Sequence, residues 1–102
     1  MNVIVRPQFY LDIEQEVDWL LTNADAGVAQ RWHEAVWQTL ELLAVHPYLG
    51  RERKDLKQPG IRSWRIKPFA RWLVFYSVAD EILVIYRVRS GLMNLMQIQM
   101  RT

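Results

Sequence analysis

Hydrophobic and polar positions change their period about halfway along the chain, and this change predicts where helices give way to strands. In the first half, apolar residues recur every three or four positions, which is the spacing of an amphipathic helix. In the second half, short runs rich in β-branched and aromatic residues are separated by turn residues, which is typical of β-strands. The pattern therefore predicts an α+β fold with a helical part followed by an antiparallel sheet.

Two helices are predicted, preceded by a short strand at residues 2–6. Pro7 suits the first turn of the first helix, over about residues 8–22, because its missing N–H would have no partner there. Asp25 is the expected N-cap of a second helix over residues 26–45, which ends before Pro47. The short link predicts an antiparallel α-hairpin. The apolar stripe of the first helix is Phe9, Ile13, Val17, Leu20 and Leu21, with the carboxylates Asp12, Glu14, Glu16 and Asp18 mostly between these positions. The apolar stripe of the second helix is Ala29, Trp32, Val36, Leu40 and Leu43, and Ala35 and Leu42 widen it.

Three strands are predicted after a loop at residues 47–60, and their short connections indicate antiparallel pairing. They cover residues 61–67, 72–78 and 82–89, so the order is β-α-α-β-β-β in a single domain of residues 1–102 with an apolar tail at 91–102. The central strand is apolar on both faces, so we expect helices on one face and the Met-rich tail or a bound partner on the other. A homodimer is an alternative cover.

Alternation along the outer strands assigns their side chains to faces. The strand at residues 61–67 is expected to place Arg65 and Lys67 on the same face. The strand at residues 82–89 is expected to place its two arginines with Leu83 and Ile85. The predicted faces are Ile61, Ser63, Arg65 and Lys67 against Arg62, Trp64 and Ile66, and Leu83, Ile85, Arg87 and Arg89 against Ile82, Val84, Tyr86 and Val88.

Charge is distributed unevenly, although the net charge of the chain is only +2. Residues 1–50 hold two basic and seven acidic side chains, whereas residues 51–71 hold eight basic and two acidic ones. The basic block is a candidate surface for phosphate or an acidic protein, the alternative being a solvated basic loop and strand edge. Five tryptophans in 102 residues also suggest that some belong to a partner surface.

Several kinds of chemistry lack the residues they need. The chain has no cysteine, which fits a cytoplasmic protein, and no apolar run long enough for a membrane span. His33 and His46 lack partners at metal-ligand spacing, so structural or capping roles are expected for both. The serines have no nucleophile-elbow context, and no glycine-rich phosphate loop is present. We therefore expect no metal and no cofactor, and binding rather than catalysis.

An ordered set of short motifs resembles the RelE/ParE superfamily of toxins from type II toxin–antitoxin systems. After the two helices come Pro47-Tyr-Leu-Gly50, Gly60-Ile-Arg62, Leu73-Val-Phe-Tyr76-Ser-Val78, Ile85-Tyr-Arg87-Val88 and Gly91, so the resemblance runs from about Val3 to Leu95. The ParE branch, often called plasmid stabilisation proteins, is the better match. It implies a growth-inhibiting toxin that binds DNA gyrase and is neutralised by a cognate antitoxin with an acidic C-terminal segment.

The resemblance leaves two further functions open. RelE-like members cleave messenger RNA on the ribosome without a metal, and this would imply the residues Arg65, Lys67, Arg71, Tyr76 and Arg89. Their usual arginine early in the central strand is replaced by Leu73, and Leu92 and Met93 follow Gly91 where basic residues are common. A non-toxic or degenerate binding protein of the same fold is the other alternative. For a ParE-like toxin or a non-toxic binding protein, the expected partner-binding residues are Arg51, Arg53, Lys54, Arg62, Trp64, Arg65, Lys67, Arg87 and Arg89.

Overall fold

Two helices cover one face of a mixed sheet of five strands in the computed structural model, which describes residues 1–91. The predicted α+β class is confirmed. The predicted apolar tail, apart from Gly91, lies outside the described residues. Within residues 1–91 no helix has the length and apolarity needed to cross a membrane. The elements are β1 (Asn2–Val5), α1 (Pro7–Asn23), α2 (Ala26–Val45), β2 (Arg51–Glu52), β3 (Arg62–Arg65), β4 (Trp72–Ala79) and β5 (Ile82–Ser90).

Both helices begin and end where local chemistry predicts. Pro7 occupies the first turn of α1. The Asp25 carboxylate accepts a hydrogen bond from the backbone N–H of Val28 at 2.8 Å, which caps α2. At the other end of α2, the N–H of His46 closes the last turn on the Leu42 carbonyl at 2.8 Å, directly before Pro47. The predicted span of α2 is therefore confirmed to the residue, and that of α1 to within one residue.

The sheet has the strand order β1-β5-β4-β3-β2. The antiparallel pairing predicted for β3, β4 and β5 is confirmed, whereas β1 joins β5 in parallel and completes one edge. At the other edge, β2 pairs with β3 inside the segment predicted as a loop. Because β2 has only two residues, Arg51 and Glu52, it leaves no alternating pattern in the sequence to indicate a strand.

The main core lies between the helices and the sheet. Phe9 from α1, Val36 and Leu43 from α2 and Val74 and Ile85 from the sheet are all fully buried there. Two residues of the helix stripes depart from the prediction, because Leu21 and Leu42 are 52% and 42% exposed. Asp12 departs in the opposite direction and is buried.

The second face of the sheet is covered by the loop that follows β2. Leu56 from this loop packs with Ile61, Phe75 and Tyr86, and Phe75 is fully buried as a result. The expected cover was the Met-rich tail or a bound partner, so the part that this loop plays in covering Phe75 was not predicted. Leu73 is only partly buried on the same face, and it borders the groove described below.

A β-bulge in β5 changes which side chains face the helices. Tyr76 pairs with Ile85 but Phe75 pairs with Arg87, so Tyr86 is the extra residue. Val88 is consequently buried in the main core with Leu83 and Ile85. The predicted alternation, which grouped Arg87 and Arg89 with Leu83 and Ile85, is correct only as far as Tyr86.

Candidate functional site

A basic groove of about 370 Å³ lies beside β3. Four cationic side chains contribute to its lining, and no carboxylate of residues 1–91 does. Apolar side chains complete it, so the groove offers positive charge beside hydrophobic surface. Its lining consists of Leu49, Arg51, Arg53, Ser63, Trp64, Arg65, Lys67 and Leu73.

Strand geometry explains why these cations converge. Successive alternate residues of a strand point to one face, and Ser63, Arg65 and Lys67 line the groove together, as predicted. The pairing of Arg51 with Ser63 sets the first arginine of β2 beside them. Five of the predicted partner-binding residues therefore meet in one place: Arg51, Arg53, Trp64, Arg65 and Lys67.

Arg53 differs from the other cations of the groove because it is buried and engaged internally. Its guanidinium donates to Asp55 at 2.9 and 2.6 Å and to the Ser63 hydroxyl at 3.1 Å, and it lies 5.7 Å from the centroid of the Phe75 ring. The hydrogen bond from Arg53 lowers the pKa of Asp55 to about 2. Arg53 therefore shapes the floor of the groove, while the exposed Arg51, Arg65 and Lys67 offer their charges to a partner.

A second groove meets the first at β3. It has a volume of about 190 Å³ and runs between α2 and the sheet edge. Trp64, Arg65 and Lys67 line both grooves, so one surface continues around the edge of β3. The α2 side of the second groove is formed by Ala35, Gln38, Thr39 and Leu42.

The Pro47–Gly50 turn is fixed to the sheet by Tyr76. The Tyr76 hydroxyl donates to the Pro47 carbonyl and accepts from the Gly50 N–H, both at 2.8 Å. Burial raises the pKa of the Tyr76 hydroxyl. A Cβ at position 50 would lie 2.5 Å from the Tyr76 hydroxyl oxygen and 2.6 Å from the Ser63 carbonyl, so only glycine fits there. Arg62 adds a bond of 2.6 Å to the Gly50 carbonyl, which explains the Pro47-x-x-Gly50 pattern physically.

Arg87 and Arg89 were predicted to bind a partner, but they do not line the groove. Arg87 donates to both carboxylate oxygens of Asp12 on α1 at 2.8 Å, and Arg89 lies 3.5 Å from one of them. Asp12 also accepts the N–H of Val88 at 3.1 Å. This role of Asp12 was not predicted from the sequence. The signal was its spacing of three residues from Phe9, which puts it beside the buried face of α1.

The five residues implied by an RNA-cleaving relative are not gathered at one site. Arg65 and Lys67 line the groove, whereas Arg71 and Arg89 do not. Tyr76 is fully buried, and its hydroxyl is engaged by the Pro47–Gly50 turn. Lys54 and Arg62 were predicted to bind a partner and also lie outside the groove lining: Lys54 is exposed in the loop after β2, and Arg62 is half-buried against the turn.

The histidines and tryptophans divide between structure and surface. The Nε2 atom of His33 accepts a hydrogen bond from Trp37 at 3.1 Å, and His46 is the C-cap residue of α2. Trp32 is buried and packs edge to face against Trp72, with 5.2 Å between the ring centroids. Trp64 lines both grooves, so its position fits the expected partner surface, whereas Trp19 is 56% exposed on α1 and lies outside both groove linings. Within residues 1–91, no cluster of three or more His, Asp or Glu side chains is arranged to hold a metal ion.

Two sequence comparisons find the same family of proteins, and a structural comparison finds a similar fold. The sequence profile described as ParE toxin of type II toxin–antitoxin system, parDE, matches residues 3–95. The toxin ParE3 of Caulobacter vibrioides is 33% identical over 84 residues, which cover 82% of this chain and 80% of that protein. A solved structure of the chromosomal ParDE toxin–antitoxin system from P. aeruginosa has a similar fold, with a TM-score of 0.73 and 14% identity, and covers 88% of this chain and 95% of that one.

Proposed function

The chain belongs to the family of ParE toxins of type II toxin–antitoxin systems, and from this we propose that it arrests growth in the cytoplasm by binding DNA gyrase. We also propose that a cognate antitoxin neutralises it by placing an acidic segment in the basic groove. The observation that carries the proposal is the convergence of Arg51, Arg65 and Lys67 on one groove without a lining carboxylate among residues 1–91.

The chemistry of the groove suits an acidic protein segment. Complementary charge across an interface steers encounter and disfavours partners of the wrong sign. The apolar side chains of Leu49, Trp64 and Leu73 supply contact area in the same groove. An acidic segment with some apolar residues therefore matches the groove better than a purely charged one.

Binding to a protein target fits the remaining chemistry better than RNA cleavage. A general acid or base must reach the atom with which it exchanges a proton. The Tyr76 hydroxyl is buried and bonded to the Pro47–Gly50 turn, and only Arg65 and Lys67 of the implied cleavage set line the groove. These positions support toxicity through binding.

The gyrase proposal is tested with the purified chain and purified DNA gyrase. We expect inhibition of supercoiling and accumulation of cleaved DNA–gyrase complexes in proportion to the toxin added. Unchanged supercoiling with no cleaved complexes would remove gyrase as the target. Primer extension on translated messages gives a parallel check, because cuts at the ribosomal A site would identify an endoribonuclease instead.

The proposal predicts a short reading frame beside the gene for this chain, and the protein encoded by this neighbour tests neutralisation. We expect expression of this chain alone to stop growth and co-expression of the neighbour to restore it. The two proteins should also purify as a complex. Growth arrest that the neighbour does not relieve would contradict the antitoxin proposal while leaving the toxin itself intact.

A further inference from the structure

An exposed apolar patch lies at the end of α2 and in the turn that follows. We call it the α2-end patch. Tyr48 is 68% exposed and Val45 is 71% exposed, although both are large apolar side chains. Apolar residues scattered singly on a surface are ordinary, whereas four exposed ones within residues 42–49 make this segment a candidate interaction site. The α2-end patch consists of Leu42, Val45, Tyr48 and Leu49.

Tyr48 is the best-positioned member of the patch because its surroundings are fixed. The guanidinium carbon of Arg62 lies 5.0 Å from the centroid of the Tyr48 ring. The Arg62 guanidinium donates a hydrogen bond to the Gly50 carbonyl, and the Tyr76 hydroxyl is hydrogen-bonded to the backbone of Gly50 and Pro47. A side chain that is already ordered loses less conformational entropy when a partner binds. Tyr48 therefore has the properties of a preorganised aromatic anchor, a residue type enriched at binding hot spots.

The patch is continuous with the cationic surface on both sides. Leu49 belongs to the patch and lines the basic groove, and Leu42 belongs to the patch and lines the second groove. Arg65 and Lys67 line both grooves. A partner segment that lies in the basic groove can therefore reach the patch without leaving the surface.

We infer that the α2-end patch anchors the same acidic antitoxin segment, through a large apolar side chain that this segment carries beside its carboxylates. Tyr48 is the central contact. The inference rests on the proposed function. It requires the antitoxin segment to carry a large apolar side chain in addition to its acidic residues. It predicts an antitoxin segment in which an aromatic or long aliphatic residue lies within a few positions of the acidic cluster.

Charge complementarity favours an acidic antitoxin segment over a second copy of the chain or its own C-terminal residues as the partner of the α2-end patch. A second copy of the chain would bring its own block of eight basic and two acidic residues, at positions 51–71, towards the same cations. Residues 92–102 of this chain contain no Asp or Glu, and their charged side chain is Arg101. An acidic partner with an apolar residue satisfies both the patch and the groove.

The test measures the affinity of the full chain for the protein encoded by the neighbouring short reading frame, using calorimetric titration. Tyr48→Ala should weaken binding about tenfold or more, whereas Tyr48→Phe should stay within about twofold because the ring is kept. Leu21→Ala is the matched control, since Leu21 is also 52% exposed but lies on α1 outside the patch. Thermal unfolding of each variant checks that the fold is retained.

Salt dependence separates the apolar anchor from the charged groove. Tyr48→Ala should lower the affinity at every salt concentration and leave the slope with salt unchanged. Arg65→Glu should reduce both the affinity and the slope, because it removes a screened charge interaction. If Tyr48→Ala proves unstable, Val45→Ser tests the patch without touching the residues that hold the turn, and should weaken binding in the same salt-independent way.

The outcomes distinguish this inference from the proposed function. Wild-type binding that Arg65→Glu weakens and that neither Tyr48→Ala nor Val45→Ser changes would overturn the anchor and keep the groove. A wild-type chain that does not bind the neighbour's product at all would overturn both. Self-association that Tyr48→Ala abolishes, or growth arrest that it abolishes while antitoxin affinity is unchanged, would assign the patch to a second copy or to the toxin's target and would also overturn the inference.

Discussion

Asp12 links α1 to the last strand through a cluster of bonds at the edge of β5. Strand β1 ends at Val5, and its pairing with β5 extends only to Ile85. Beyond that point, the carboxylate of Asp12 takes over the role of a neighbouring strand by accepting the N–H of Val88. The same carboxylate neutralises Arg87, so one side chain satisfies both a buried backbone donor and a largely buried cation.

Replacing Asp12 should cost far more stability than replacing another carboxylate of the same helix. We expect Asp12→Ala to reduce the free energy of unfolding by about 3–5 kcal/mol, because Arg87 and the Val88 N–H lose their buried partner. Asp12→Asn should lose less, since its carbonyl oxygen can still accept a hydrogen bond. Urea unfolding measures the difference. Asp18→Ala is the control and should change stability by no more than about 0.5 kcal/mol. Equal stability of the Asp12→Ala protein would refute the structural role of this cluster.

Tyr76 predicts a second effect at the residue scale, with a defined dependence on pH. Tyr76→Phe leaves the Gly50 N–H and the Pro47 carbonyl without their partner, which should cost about 1–3 kcal/mol at neutral pH. Burial raises the pKa of Tyr76 above the ordinary value of 10.0, so the neutral phenol is favoured in the folded protein. The stabilisation that follows from keeping the Tyr76 phenol protonated is complete below pH 10.0. It is lost as the pH rises from there through the pKa of Tyr76 in the folded state.

Unfolding curves recorded from pH 7 to alkaline pH should therefore show the gap between wild type and Tyr76→Phe narrowing above about pH 10. Tyr10→Phe serves as the comparison, because the Tyr10 ring is 52% exposed and should tolerate loss of the hydroxyl within about 0.5 kcal/mol. A gap that stays constant across this range would contradict the link between the Tyr76 proton and the fold.

At the scale of elements, the helices were predictable and parts of the sheet were not. Helical period, Pro7 and the Asp25 cap are local signals, so α1 and α2 follow from them almost to the residue. The bulge at Tyr86 has no such signal, because residues 82–86 form an unbroken apolar run and the extra residue appears only in the pairing with β4. The groove was predictable in part: alternation brought Ser63, Arg65 and Lys67 together, but the burial of Arg53 depends on contacts distant in sequence.

The turn between β4 and β5 offers a test at this scale. Asp80 and Glu81 both adopt left-handed backbone conformations, with φ of 52° and 63°, as two-residue hairpin turns of this handedness require. A side chain with a Cβ is disfavoured there, by roughly 1–2 kcal/mol per residue. Glu81→Gly should therefore stabilise the protein by about 0.5–1 kcal/mol after allowing for the greater freedom of glycine in the unfolded chain.

Thermal unfolding of Glu81→Gly should show a higher midpoint than wild type. Ala79→Gly, one position before the turn and within β4, should instead lower it, because glycine in a strand costs about 0.5–1 kcal/mol. If both glycine variants are destabilised, the left-handed turn carries no cost that glycine can relieve.

At the scale of the whole molecule, charge is separated between the two halves of the fold. The first 50 residues, which contain β1 and both helices, carry two basic and seven acidic side chains, and residues 51–71 carry eight basic and two acidic ones. An acidic partner is therefore attracted towards β2, β3 and the loop between them and away from α1, which carries four of the seven acidic side chains. Such a field raises the rate of association more than it raises final affinity.

The position of the cations, as well as their number, should control how fast the antitoxin binds. Arg65→Glu with Lys67→Glu should slow association about tenfold at low salt, because both side chains line the groove. Lys54→Glu with Lys57→Glu makes the same change in net charge on the loop outside the groove lining and should slow association less. Stopped-flow fluorescence of the tryptophans, which include Trp64 in the groove, measures the rates over a range of salt concentrations. Equal slowing by the two pairs would mean that overall charge steers the partner and that the groove has no special part in the encounter.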